Sequence, residues 1–589
     1  MLPVAIVGGG PVGLVSSILL SMRKIPHQVF EQFPGTSIHP KACGLNQRTI
    51  EIFRHIGVEE EIKKHRAPLE IVGRTGWFTG VGPQSREIFS RDSWGGGKYE
   101  NEYLQASPVQ YSTLAQIRLE PILQQRALEL NPAGIRYQSK VTSVREQRDH
   151  VSLEVARKDG QAEEVKAKFV IGADGGRGLA ESLGIGWKGE RDIVDMVTAH
   201  FKADLTSIHP DPRIFISWLI NPRLQGSLGA GYLYHLGPYY PQRAAKEEWV
   251  LAAPRSRNDP VEFDNATMID RIRCSLEIPD LDVDLLSLSQ WTVNARVTES
   301  YRSRGGRVFL AGDACHRVPP WGALGMNSGV QDAFNLIWKL ALAIKSNTLA
   351  AYSGLLDTYE EERKPIAVRV AQNSLKNMRS HANVMDHAVG INADTTTEQN
   401  LSALAAYFDP THPENSAKRE AVRKASGELD HEFHAPGIEI GWFYPSADIN
   451  NEGVKTRHGG QIKEDGSFNS TQYCPSTIPG HHVPHAWLVK GDKVVSTRDL
   501  IQLDRFVLFT QTSGVWDRAA NNDIAVHTIN GEADNWSDRD GTWARLCGVE
   551  KDGAVLMRPD GIVAWRADSF SSKLLNELPS IIDRILKRA

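Results

Sequence analysis

Three sets of residues in this 589-residue chain combine side-chain type and spacing in ways that chemistry can use. Gly8, Gly10 and Gly13 have the spacing G-x-G-x-x-G, and Glu31 follows Gly13 by 18 residues. Glycines so placed allow a tight turn, close approach of the backbone to a pyrophosphate, and close packing of a helix on a strand. A carboxylate at Glu31 can accept hydrogen bonds from two ribose hydroxyls. The set therefore points to a dinucleotide, without choosing between NAD and FAD, which share an adenosine half. Asp174-Gly175 and Gly312-Asp313 are the other two sets, each an acid beside a glycine. His481, His482 and His485 are close enough to suggest a metal. No fourth ligand accompanies them, and loop histidines with ordinary contacts are the plainer reading.

Each set needs an element to deliver it. Val4 to Val7 is an apolar run entering the glycine turn, and Leu14, Val15, Ile18, Leu19 and Met22 follow at helical spacing, so backbone N–H groups at that helix's start can face an anion. Gln28-Val29-Phe30 reads as a strand ending at Glu31. Phe169-Val170-Ile171 leads into Asp174, and Val308-Phe309-Leu310 leads into Asp313, again strand into turn. Beyond the proline and glycine loop 317–325, a helix is predicted from about Ser328, which forms a capping-box pair with Gln331. Val330, Phe334, Ile337, Ala341 and Ile344 give it one apolar face. Residues 193–291 read as broad, aromatic-rich strands, a second domain whose sheet could wall off a pocket. Residues 350–430 read as helices and a polar connection, and short strands and turns begin near Pro436.

The length exceeds one compact core and suggests about three or four domains. A formal charge of −4 gives no global electrostatic reason to expect nucleic acid or an anionic membrane as partner. The five cysteines, Cys43, Cys274, Cys315, Cys474 and Cys547, are scattered and contain no C-x-x-C, which points to free thiols in a reducing compartment. No signal segment is evident, and no apolar run reaches the roughly 18–20 residues of a membrane span. A cytoplasmic protein is expected.

In order and spacing, the glycine turn 8–13, Gly172-Ala173-Asp174-Gly175, the run 307–316 and the run 325–340 resemble the group A flavoprotein monooxygenases, which have the para-hydroxybenzoate hydroxylase fold. Pro436 to Gly441, Pro484 to Leu488, Ser496 to Leu500 and Arg558 to Gly561 resemble the C-terminal part of the phenol hydroxylase and dichlorophenol hydroxylase branch. The resemblance implies an α/β protein with a Rossmann-type FAD-binding domain (1–75, 105–190 and 291–375) interleaved with a β-sheet substrate domain (76–104 and 191–290). A helical connection (376–432) and a thioredoxin-like α/β domain (433–589) follow. Without C-x-x-C, that last domain is expected to be structural or to support a homodimer.

The resemblance also implies roles. Gly8, Gly10, Gly13 and Glu31 would hold the adenosine half of FAD, Asp313 beside Gly312 the ribityl chain, and the backbone from Leu324 through Gly325 and Met326 to Asn327 the flavin ring. Arg48, Gln116, Asp174, Gly175 and Pro320 match further cofactor positions. There is no second G-x-G-x-x-G site, so NADPH or NADH would act as co-substrate without its own Rossmann fold. Cys43 and Trp321 depart from the relatives where substrate is handled, and Trp218 and Tyr232 are expected walls. A phenol needs deprotonation before an electron-rich ring carbon takes oxygen from a flavin hydroperoxide, and Tyr234, His235, Arg296 and Tyr301 are the candidates for that step. The expected reaction is NAD(P)H- and O2-consuming hydroxylation of a small phenolic aromatic. Baeyer–Villiger insertion or epoxidation of a polyketide-like substrate is the alternative, followed by a flavin dehydrogenase and a non-catalytic flavin-binding protein.

Overall fold

Leu2–Val7 pairs in parallel with His27–Phe30 on one side and with Ala162–Gly172 on the other. The end of Ala162–Gly172 pairs in parallel with Val308–Leu310, and Ile135–Arg136 extends the opposite edge. Val4, Ala5, Ile6, Val29, Val170, Ile171 and Phe309 are buried. Such strands read as unbroken apolar runs because both faces of a parallel sheet are covered. Parallel strands share one carboxyl edge, so Gly8, Glu31, Asp174 and Gly312 emerge together there although up to about 300 residues separate them. This computed structural model describes residues 1–239, 246–255, 263–346, 349–444, 458–532 and 534–588.

Helices Pro11–Met22, Gln116–Leu130 and Gly325–Lys345 cover the sheet. The last begins before the expected Ser328. Leu324 is its N-cap residue, no side chain caps it, and Ser328 lies within its first turn, where its N–H bonds to the Leu324 carbonyl at 2.9 Å. The Ser328/Gln331 pair thus has the spacing of a capping box without its position. Val330, Phe334, Ile337 and Ala341 of the expected apolar face are buried and Ile344 is half-buried, but the other sides of the helix are buried as well, Asp332 and Lys339 included.

An eight-stranded sheet forms the second layer, running from His316–Arg317 through Asp284–Thr298, Trp187–Ala203, Glu247–Pro254, Tyr232–Gly237, Ile216–Leu219 and Arg74–Phe78 to Glu87–Asp92. Alternation along its strands separates two cores. Leu233, Trp249, Leu251 and Ala253 pack on one face against helix Asn265–Leu276, whereas Tyr234, Val250, Ala252, Trp218 and Ala295 share an aromatic core on the other. The helical connection closes over that second core with Met385, Val389 and Tyr407, so it is a wall rather than a linker.

The C-terminal region has a four-stranded sheet in which Phe506–Thr510 pairs in parallel with Ile524–Thr528 and antiparallel with Ala554–Met557, followed by Val563–Ala567. It is joined to the rest through buried charges. Glu51 meets Arg48 and Arg498, while Glu362 meets Lys339 and Arg558. Among the described residues no helix is long and apolar enough to cross a membrane.

Candidate active site

The glycine turn is shaped by two requirements. A Cβ on Gly8 would lie 2.1 Å from the Ala173 carbonyl oxygen, and one on Gly13 would lie 2.0 Å from that of Gly8. These two glycines let the turn, the helix and the neighbouring strand touch. A Cβ on Gly10 would meet nothing nearer than Glu120 Oε1 at 4.0 Å. The space over Gly10 is therefore free of protein and suits a ligand's pyrophosphate. Glu31 is held beside it, its Oε2 accepting the Gly9 N–H at 2.7 Å and its Oε1 the Phe33 N–H at 2.8 Å. Each oxygen keeps acceptor capacity for a ribose hydroxyl. Gln116 reaches the same place, donating to Glu120 Oε1 at 2.5 Å, while Glu120 Oε2 accepts the Ser37 N–H.

Asp174 turns back on its own loop, accepting N–H groups of Gly176, Arg177 and Leu179 at 3.0, 2.9 and 3.1 Å. Gly175, at φ +70°, makes that reversal possible. Asp313 is different. Its side chain is exposed, yet surrounding protein desolvates it and raises its carboxyl pKa, against the lowering influence of His316, Arg317, Lys41 and Arg177. A carboxyl open to solvent but ringed by protein marks the floor of a cleft. The turn bearing it is fastened from behind, because buried Asp332 accepts the Gly312 N–H at 3.0 Å and pairs with His316 at 2.7 Å and Arg363 at 2.8 Å. Burial opposes ionisation of Asp332, but His316 and Arg363 more than offset it and hold its carboxyl below the usual range.

The uncapped start of helix Gly325–Lys345 is tied to loop 41–46 by Asn327. Its Nδ2 donates to the Gly44 carbonyl at 2.9 Å and to that of Ala323, and its Oδ1 accepts the Asn46 N–H at 3.0 Å. Gly44 is confined there, since a Cβ would fall 2.5 Å from the Tyr111 hydroxyl and 2.6 Å from Ala323 Cβ. Beside this loop lies the aromatic core. The rings of Tyr232 and Trp218 are 4.8 Å apart, those of Tyr232 and Trp321 6.3 Å, and those of Tyr232 and Tyr234 6.3 Å. Cys43 packs against the same cluster, and burial raises its thiol to about 12, so it is a neutral wall group.

Residues 1–374 match the family model described as FAD binding domain, and residues 476–589 match that of the aromatic-ring hydroxylase C-terminal region. The chain belongs to the FAD-dependent aromatic-ring monooxygenases. It is 32% identical over 582 residues to a phenol 2-monooxygenase of Pseudomonas sp. (strain EST1001), covering 96% of this chain and 90% of the relative. It is 30% identical over 593 residues to a putative polyketide hydroxylase of Streptomyces halstedii, covering 96% and 93%. Among solved structures, the flavin-dependent monooxygenase PieE in complex with FAD and substrate superposes with a TM-score of 0.90 at 32% identity, over 100% of this chain and 99% of that one.

The residues of this monooxygenase fit FAD. The open space at Gly10, the fixed Glu31, accessible Asp313 and the uncapped helix start follow one another along the cleft. A helix N-terminus favours negative charge, which suits the pyrimidine end of a reduced flavin. Pro320 is exposed at that end, ahead of Leu324.

Four expected residues lie elsewhere. Arg48 is buried at the C-terminal seam, its guanidinium donating to Glu51 Oε2 at 3.1 Å and to the Asp560 carbonyl at 2.7 Å. It is an anchor between regions rather than a flavin contact. His235 alternates with Tyr234 and so faces the opposite core, stacked 4.2 Å from Trp249. Tyr301 is wholly buried in the FAD-domain core beside Tyr359. Arg296 points away from Val293 and Ala295, over the Trp187 ring at 4.5 Å and beside Arg317. Sequence reasoning also missed Lys41, which has φ +50° and places its charge near Asp313 and its carbonyl on the Tyr234 hydroxyl at 3.2 Å. No pattern distinguished it from other loop lysines. The three histidines have separate partners, with His481 stacked on Phe443, His482 beside Glu51, and His485 on Ser496 Oγ.

Proposed function

We propose that this monooxygenase uses NAD(P)H and O2 to hydroxylate the ring of a phenolic aromatic compound. One observation carries the reading. Trp321, a wall of the aromatic pocket, and the uncapped helix start at Gly325 belong to one short loop, so a flat ring held by Trp218, Tyr232 and Trp321 lies against the flavin end of the cleft. Bound FAD would supply hydride acceptance and oxygen activation. The chain supplies position and exclusion of water: the aromatic walls order the ring, and the helical wall behind them keeps solvent from the oxygenating centre. Tyr234, fixed by its bond to the Lys41 carbonyl, orients a substrate oxygen. The cationic rim of Arg177, Arg296 and Arg317 offers charge to the phosphates of the nicotinamide cofactor. The five free thiols fit a reducing compartment such as the cytosol.

A screen of phenols for stimulated NAD(P)H oxidation, with oxygen uptake, peroxide and product measured together, tests this. Stoichiometric hydroxylated product supports it, and peroxide alone, or no stimulation across the panel, overturns it. Oxygenation of a larger polyketide-type aromatic is the second reading, favoured by the match to putative polyketide hydroxylases. Labelled-oxygen product analysis separates ring hydroxylation from insertion or epoxidation.

A further inference from the structure

The parts of the cofactor cleft come from distant stretches of the chain, and one buried side chain behind them touches the supports of two of them at once. Arg363, in helix Leu349–Ser380, is wholly buried. Its Nε donates to Asp332 Oδ1 at 2.8 Å, its Nη2 to the Ser328 carbonyl at 3.1 Å, and its Nη1 to the Tyr444 hydroxyl at 3.2 Å. Each acceptor leads to a different element. Through Asp332, whose other oxygen accepts the Gly312 N–H at 3.0 Å, the guanidinium braces the turn that carries Asp313. Through Ser328 it braces the first turn of helix Gly325–Lys345. These two pieces meet directly, since a Cβ on Gly329 would lie 3.0 Å from Gly312 Cα.

Tyr444 brings in the C-terminal region. Its N–H donates to the Gly480 carbonyl at 2.9 Å, and the Gly480 N–H donates to the Val563 carbonyl at 2.7 Å, at the start of strand Val563–Ala567. Gly480 leaves no room for a side chain there, because a Cβ would fall 2.2 Å from the Tyr444 carbonyl oxygen. The same neighbourhood packs on the flavin end of the cleft. Leu324, the N-cap residue of helix Gly325–Lys345, shares a buried apolar cluster with Ile438, Trp442, Tyr444 and Ile562. Arg363 itself lies 5.4 Å over the Trp442 ring. Polar and apolar contacts therefore agree: the C-terminal region backs the helix start and, through one guanidinium, the turn beside it. A rigid planar fork can hold three acceptors at set angles, which the point charge of an ammonium cannot do.

We propose that Arg363 is a positioning residue for FAD, and that the C-terminal region sets it through Tyr444. Docking of that region holds the Asp313 turn and the start of helix Gly325–Lys345 in one arrangement, so the site is ordered before the cofactor arrives. Arg363 lies behind the cleft and acts through the Asp332 carboxylate on the Gly312 N–H, and directly on the Ser328 carbonyl. The C-terminal region thereby gains a part in retaining the cofactor, and it does so whichever aromatic compound the enzyme oxidises.

FAD titrated into the FAD-stripped full chain, well below its unfolding temperature, tests this by flavin fluorescence, with visible circular dichroism of the saturated protein reporting the surroundings of the flavin. Tyr444→Phe removes one hydroxyl and should weaken FAD binding roughly two- to ten-fold, the effect of one hydrogen bond. Arg363→Lys keeps a charge beside Asp332 but not the fork, and should weaken it by about ten-fold or more. Both should alter the flavin circular dichroism. His235→Ala, in the opposite core, controls for lost stability: it should melt earlier than wild type yet bind FAD equally well. Adding Tyr444→Phe to Arg363→Lys should change affinity no further, because the hydroxyl acts through the guanidinium. If Arg363→Lys does not fold, Tyr444→Phe against His235→Ala decides alone. A change in affinity of less than about two-fold in Tyr444→Phe, a flavin circular dichroism superimposable on that of wild type, equal weakening in His235→Ala, or additive effects in the double variant overturns the proposal.

Discussion

Replacing Gly10 and Gly13 separately by alanine distinguishes what the turn does for the ligand from what it does for the fold. Gly10 has φ −76° and ψ −173°, ordinary extended backbone open to any residue. Its added Cβ would be 4.0 Å from the nearest protein atom, so Gly10→Ala should leave the FAD-free protein as stable as wild type or about 0.4–1 kcal/mol more so, through lower entropy of the unfolded chain. The same methyl occupies the space where a pyrophosphate approaches the backbone. Losing one charge-assisted N–H contact costs about 1.5–3 kcal/mol, or roughly a ten- to hundred-fold loss of FAD affinity. Gly13→Ala puts Cβ 2.0 Å from the Gly8 carbonyl and must push helix Pro11–Met22 off its strand, a cost of about 1–3 kcal/mol or more before any ligand is present. Thermal unfolding of FAD-stripped protein and flavin fluorescence titration measure the two effects apart. If Gly10→Ala bound FAD as wild type does, or lost as much ligand-free stability as Gly13→Ala, the assignment of the space over Gly10 to a ligand would be refuted.

Asp386, buried against the Ser227 N–H and Oγ, has its carboxyl raised to about 7 by desolvation, so its stabilising state is the protonated one. That contribution is complete below pH ~4 and lost as pH rises through 7. Asp386→Asn should therefore stabilise the protein at pH 8 by up to about 4 kcal/mol and change little at pH 4, as read from urea midpoints at the two pH values. Glu51→Gln removes the shared anion of Arg48 and Arg498 and should cost about 3–5 kcal/mol, with limited proteolysis reporting early release of the C-terminal region. Unchanged stability would mean that the charged seam is not what holds that region. Trp218→Ala should raise KM for the aromatic substrate at least ten-fold with FAD affinity intact. His235→Ala, on the opposite core, should lower thermal stability while leaving KM within about two-fold.

Local signals made the cofactor cleft legible. Each of Gly8, Glu31, Asp174 and Asp313 follows an apolar strand, and only parallel pairing was needed to gather them at one edge. The aromatic walls were legible as residue types, and Cys43, Trp218, Tyr232 and Trp321 do converge. Strand phase was harder to see. Tyr234 and His235 are adjacent in sequence and equally polar at their tips, yet alternation puts them in different cores. Arg48 lay beyond reach for another reason: its partner Asp560 is more than 500 residues away, and nothing in a short helix shows which later segment will dock on it. Ser328 and Gln331 show the limit of a cap motif, because loop 317–325 starts the helix earlier than the pair suggests.

The two-sided strand Tyr232–Gly237 also bears on how this enzyme can change over evolutionary time. Tyr232 and Tyr234 belong to the aromatic core, whereas Leu233 and His235 belong to the packing beneath helix Asn265–Leu276. Under the proposed function, point mutation at every second residue alters the aromatic side and leaves the packing beneath helix Asn265–Leu276 untouched. A one-residue insertion or deletion does the reverse: it exchanges the two sets at once, bringing an imidazole into the aromatic core and phenols into the opposite one. Diversity among related pockets should accumulate as substitutions in fixed register, with length changes confined to the loops that join the strands.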